Sequence, residues 1–268
     1  MSHSSGLIDP LVHLDDKRYT NVPEILARAA DTGVEHVVWA GTEPAEDATK
    51  TIETSETRLH VWRALGHHPA FVHENRLQEN LDALHAAIQE KRIVAVGEIG
   101  LDARKDMPDI LLQEKAFSAQ LEMARDASLP VIIHAAKAWG RVLMKLKHFG
   151  KLPAGGMLHA FSASAEMVPQ FADLGLLMSF GGLVTHERAK KMRKALRAVP
   201  LELLAIESDG PDHPSSVSPR PLSEPSDLPR LFSEIGSLRD ELPALLAIAV
   251  TRNLHQLFPE FKRAEKPH

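Results

Sequence analysis

Eight short apolar runs punctuate the chain: GLIDPLV (6–12), VEHVVWAG (34–41), HVWRALG (60–66), IVAVGEIG (93–100), PVIIHA (130–135), GGMLHAF (155–161), GLLMSFGG (175–182) and LLAIESD (203–209). Each is too continuously apolar for a strand with one wet face, the pattern expected of parallel strands buried on both sides. Between them lie segments with apolar residues at three and four spacing, among them 21–33, 76–91, 111–128 and 164–175, which predict amphipathic helices. Strand and helix alternating eight times predicts an α/β chain folded as a single-domain (β/α)8 TIM barrel over residues 1–268. The competing architecture is an open, doubly wound sheet. No G-x-G-x-x-G or P-loop motif follows a strand, so a nucleotide-cofactor fold lacks its main support.

The tail is less regular. Residues 210–229 hold six prolines in a Ser-rich stretch, which predicts a loop leaving the last strand. Two amphipathic helices, 226–238 and 242–258, are expected to complete the barrel.

Composition narrows the class. With 268 residues and 44% apolar content the chain can build a large core. Its 31 Lys and Arg against 36 Asp and Glu give a net charge of −5, which excludes a general polyanion binder. Cysteine is absent, removing disulfides, thiolate metal sites and a Cys nucleophile together and fitting a reducing compartment. The first residues carry no basic segment followed by an apolar core, and the longest apolar stretches are short and interrupted, so a cytoplasmic protein without a membrane span is expected.

In a parallel barrel the reactive groups sit at the carboxyl ends of the strands. Those ends carry His13, His68, Glu98, His134, His159 and Asp209. A lone strand-end histidine is usually a satisfied polar residue, and a lone buried glutamate usually pairs with a cation. Together, imidazoles and carboxylates converging on one mouth are the ligands of a hydrolytic divalent metal, and a carboxylate such as Glu98 can bridge two ions.

The local sequences around these residues resemble the TatD-type metal-dependent deoxyribonucleases, among the amidohydrolase-like barrels, from Leu7 to Phe258. The likeness rests on VAVGEIGLD (94–102), LPVIIH (129–134), LHAFSAS (158–164) and IESDGPD (206–212), with GHHP (66–69) and TRNLHQLF (251–258) in support. The resemblance implies that Glu98 bridges the metals, that His134 and His159 hold one ion with it, and that His13 belongs to the other. It implies that Asp209 ligates metal beside the attacking water and that His68 lies near the substrate phosphate. The implied cofactor is a divalent ion, Mg, Mn or Zn, and the implied reaction is hydrolysis of DNA phosphodiesters from an end.

This chain departs from the family at several positions. The first histidine of the opening Asp-x-His-x-His is Leu11, after Asp9. The arginine two residues beyond the fifth-strand histidine is Ala136, the tyrosine near the last strand is Asp212, and an Arg-Asn-Glu-Pro block is reduced to Ser223-Glu224-Pro225. The expected result is one tight metal site with a weaker second. Hydrolysis of another ester or amide, or a catalytically weakened barrel that binds nucleic acid or a protein partner, are the alternative functions.

The segment HERAKKMRKALR (186–197) gathers six basic residues; Lys190, Lys191 and Lys194 are its candidate DNA contacts. The plain alternative is a solvated helix face. Aromatic residues make up 5% of the chain, so extensive base stacking is not expected.

Overall fold

The computed structural model describes residues 6–52 and 59–264. Strands and helices alternate as β1 (Leu7–Val12), α1 (Val22–Asp31), β2 (Val34–Gly41), α2 (Pro44–Asp47), β3 (His60–Leu65), α3 (Leu77–Gln89), β4 (Ala95–Asp102) and α4 (Ile110–Ala127). The second half continues with β5 (Val131–Ala136), α5 (Trp139–Phe149), β6 (Gly156–Leu158), α6 (Val168–Ala172), β7 (Leu177–Phe180), α7 (Lys190–Ala198), β8 (Leu204–Ile206) and α8 (Leu228–Arg239). Helices α9 (Pro243–Leu257) and α10 (Phe261–Ala264) follow.

All eight apolar runs form strands, parallel and in sequential order. The first and last strands meet at their carboxyl ends. His13 N donates to the Gly210 carbonyl at 2.7 Å, Asp209 N donates to Leu11 O at 3.2 Å, and Val12 bridges Gly210 in parallel register. Beneath this seam, the buried Asp9 carboxylate accepts from Ser208 N at 3.0 Å. The ring therefore closes into a barrel, and an open sheet is excluded.

The helical expectations differ in detail. The stretch 164–175 splits into a 3-10 turn, Ala165–Met167, and the short α6. In the tail, irregular structure ends at Glu224, because Pro225–Asp227 form a 3-10 turn leading into α8. Glu224 and Asp227 cap that turn reciprocally, and Arg28 of α1 grips Glu224 at 2.9 and 2.8 Å. These ion pairs convert a Pro- and Ser-rich segment into a fixed wall of the barrel mouth. The same segment packs tightly on the end of β7: a Cβ on Gly182 would lie 2.0 Å from the His213 carbonyl.

The opposite end of the strands is closed by aromatic packing. His36, near the start of β2, is 1% exposed and stacks on Phe261 of α10 with ring centroids 4.8 Å apart. Trp62 Nε1–H donates to His36 Nδ1 at 3.0 Å, so His36 is held as an acceptor. Burial, with His60 and His255 nearby, pushes the His36 imidazole down to about 4. A depressed histidine contributes stability that is fully present above its unfolded pKa near 6.5 and is lost as pH falls toward 4. Thermal unfolding between pH 7 and pH 4 checks this. His36→Gln keeps an acceptor for Trp62 but cannot titrate, so it should lose less of its Tm over that range than the wild type; equal losses would remove His36 from the account.

Candidate metal centre

The strand ends converge on a cavity of about 660 Å³ lined by His13, His68, Glu98, His134, His159 and Asp209. Glu98 is its centre. It projects from the middle of β4, and its side chain is 1% exposed. Two residues on, Gly100 allows β4 and β5 to approach closely, since a Cβ there would lie 2.0 Å from the His134 carbonyl. Glu98 is thus brought beside His134.

The two carboxylate oxygens of Glu98 face different partners. Oε1 lies 3.0 Å from His13 Nε2. Oε2 lies 3.6 Å from His134 Nδ1 and 3.4 Å from His159 Nε2. His159 Nε2 is also 3.8 Å from Asp209 Oδ1. Five of the six expected residues are therefore joined by polar contacts, and His68 packs edge-on against His134 with ring centroids 4.5 Å apart. One donor atom each from His68, Glu98 and His134 fall within 4.8 Å of one another.

The electrostatics follow from burial and these pairings. Burial alone would raise the Glu98 carboxyl, but His159, His13 and His134 hold it well below the usual carboxylate range. Burial opposes charge on His13, yet contact with Glu98 and the charge of Asp209 raise it to about 9. His159 is raised well above its ordinary value because Glu207, Asp209 and Glu98 outweigh its burial. Burial raises Asp209, helped by Glu207 and Glu98 and opposed by His159. His68, buried and next to His134, is lowered well below its ordinary value and is neutral.

The donor set fits a divalent cation. Protons on His13 and His159 occupy the place of positive charge around Glu98, and a cation would displace them. Both ring nitrogens of His134 are buried without a hydrogen bond. Outside the cavity, each remaining imidazole is fixed by its far nitrogen. His13 Nδ1 lies 3.2 Å from the Ala40 carbonyl, and His159 Nδ1 lies 2.9 Å from Glu207 Oε1. Such outer contacts set the tautomer and leave Nε2 free for a ligand.

Several of these supporting residues were not among the sequence candidates. Glu207 is fully buried and also accepts from Ala160 N at 2.8 Å. Asp102 lies 3.5 Å from His134 Nε2. The sequence offers only proximity as a signal: Glu207 is two residues from Asp209 just beyond β8, and Asp102 is four from Glu98 at the end of β4. Lys190, Lys191 and Lys194 do not line the metal cavity. They border a separate cleft of about 260 Å³ with Ser164 and Glu166. Leu11 is fully buried and offers no donor.

The family described as TatD related DNase matches residues 8–259. An uncharacterized metal-dependent hydrolase, YjjV of Escherichia coli, is 33% identical over 254 residues, covering 94% of this chain and 97% of the relative. The 3'-5' ssDNA/RNA exonuclease TatD of Klebsiella pneumoniae is 33% identical over 242 residues, covering 88% and 90%. Among solved structures, the E. coli TatD homolog YjjV superposes with a TM-score of 0.83 at 31% identity, covering 94% and 98%.

Removing the central charge should abolish the site while preserving its shape. Glu98→Gln is expected to lose nearly all bound metal, and Glu207→Gln, which loosens only the outer hold on His159, should weaken metal binding about 10- to 100-fold. Elemental analysis after dialysis and calorimetric titration measure both. Full metal content in Glu98→Gln would contradict the assignment of Glu98 as the shared ligand.

Proposed function

This chain belongs to the TatD related DNase family of metal-dependent hydrolases, and we propose from that premise that the bond it breaks is the phosphodiester of DNA, attacked from an end. The observation that carries this reading is Glu98, buried with His13 on one carboxylate oxygen and His134 and His159 on the other, in a cavity it shares with Asp209. Relatives named as ssDNA/RNA exonucleases support a nucleic-acid substrate.

In this reading Glu98, His134, His159 and Asp209 hold a Mg, Mn or Zn ion. When bound, the cation makes a nearby water more acidic and offsets charge building on the phosphate. Asp209 takes the proton of the attacking water, its carboxylate lining the same cavity as the other ligands. His68 binds the phosphate. Its Nδ1 accepts from Ala70 N at 3.2 Å, and because the ring is neutral its proton sits on Nε2, where it can be donated to a phosphate oxygen. Lys190, Lys191 and Lys194 hold a further phosphate of the strand at their separate cleft.

Incubation of single-stranded DNA labelled at one end, with Mg²⁺ or Mn²⁺, should release mononucleotides in a metal-dependent manner. Replacing the three lysines with Ala should weaken DNA binding and reduce the slope of log K against log salt by about 2 units, at roughly 0.7 per single-strand phosphate contact. An unchanged slope would return α7 to an ordinary solvated face.

The two sides of Glu98 are unequally furnished. Oε2 has two imidazoles beside it, His134 and His159, whereas Oε1 has one, His13, and Leu11 in β1 offers no ligand atom. We therefore assign one tight ion per chain and a weaker second position that water ligands complete. Leu11→His should raise the metal stoichiometry measured by elemental analysis and raise DNA hydrolysis with it. A gain of metal without activity would favour a binding protein over a nuclease.

A further inference from the structure

Most carboxylates around the mouth of the cavity are already matched with cations. Asp16 and Asp212 share Arg18 at 2.8 and 2.6 Å, Asp15 is held by Lys50 at 2.7 Å, and Glu43 faces Arg76 at 3.4 Å. In each pair the cation is consumed by the acid. The acids outnumber the cations in these clusters, with Asp47 also on Lys50 and Glu46 also on Arg76, so none of the three cations is left free for an anion.

Arg104 is arranged differently. Its backbone N donates to Asp102 Oδ1 at 2.9 Å, its Nε lies 3.0 and 2.8 Å from the two Asp102 oxygens, and its Nη2 lies 2.5 Å from Oδ2. The Asp102 side chain is fully buried, and Gln113 fixes the strand end by accepting from Asp102 N and donating to Asp102 O. One edge of the guanidinium is therefore anchored to a rigid acid. The other, Nη1, has no hydrogen bond among the described residues, although the half-exposed side chain lines the cavity that contains the metal ligands. On the adjacent strand, the residue in register with Asp102 is Ala136, which presents only a methyl group. Lys17 reaches the same cavity from an exposed position but has no such anchor.

We propose that Arg104 is a further phosphate-recognition residue of this site, beside His68, its Nη1 edge donating to a non-bridging oxygen of the bound phosphate. This rests on the phosphodiesterase reading and deepens it. A planar fork held on one side and open on the other suits a phosphate oxygen, and its rotamer freedom has been spent before substrate arrives. The site thereby selects phosphate esters over uncharged esters and amides. Asp102 is a positioning residue, acting through Arg104.

Calorimetric titration of the Mn²⁺-loaded full-length protein with inorganic phosphate, beside kinetics on a thymidine dinucleotide, tests this. Arg104→Gln should raise the phosphate Kd and the dinucleotide KM roughly 10- to 100-fold, with metal content per chain unchanged. Arg104→Lys, which keeps the charge and loses the fork, should fall between. An unaltered Kd and KM in Arg104→Gln would overturn the proposal, as would loss of bound metal, which would make Arg104 a prop for Asp102 and His134. If the wild type cleaves no dinucleotide, the phosphodiesterase reading fails, and the phosphate titration still decides whether Arg104 binds the anion.

Discussion

The architecture of the mouth depends on one buried negative charge. A carboxylate as enclosed as Glu98 carries a desolvation penalty of several kcal/mol unless positive charge lies within a few ångströms. Here three imidazoles, from the ends of β1, β5 and β6, supply it. Each must then be kept from turning away. Ala40 holds His13, Glu207 holds His159, and Asp102 stands beside His134. Compensation of Glu98 thus spreads outward into β2, β8 and the far end of β4, and the barrel's closure at Gly210 and Asp9 serves the same end by fixing His13 against Asp209.

Much of this was legible in the sequence, for a physical reason. Parallel strands buried on both faces are written as unbroken apolar runs, so all eight appear without knowledge of their partners. Residues at the carboxyl ends of such strands meet because the ring closes, and His13, Glu98, His134, His159 and Asp209 needed only that rule to be grouped. The helices were less legible where they are short: α6 is a single turn and a half after a 3-10 turn, too brief to impose a period. The supporting acids were hidden for another reason. Glu207 and Asp102 act across strand boundaries, on His159 and His134, and register between strands is absent from a linear chain.

The basic helix shows the converse limit. A dense run of charge marks an exposed face, but the direction in which that face looks depends on how α7 docks. Lys190, Lys191 and Lys194 open onto their own cleft with Ser164, apart from the cavity of Glu98. Two ends of the barrel are also set apart chemically. Around His36, Trp62 and Phe261 a histidine is kept neutral by burial among aromatic rings, whereas around Glu98 all three histidines are driven toward their charged form by carboxylates. The same side chain serves stability at one end and ligation at the other because its neighbours differ.

The departures from the family pattern, Leu11 and Ala136, fall on β1 and β5, the strands that lead to His13 and carry His134. Both replace a polar group by hydrocarbon, yet their consequences differ. At Leu11 the side chain is buried hydrocarbon with no ligand atom, so in the proposed site the deficit remains in the ligand set and is met by water. At Ala136 the residue in register on the adjacent strand is Asp102, which holds Arg104 at the cavity wall. A position-by-position comparison treats the two changes alike. The wall of a barrel mouth is assembled from neighbouring strand ends, so what a substitution removes depends on whether the residue in register can reach across.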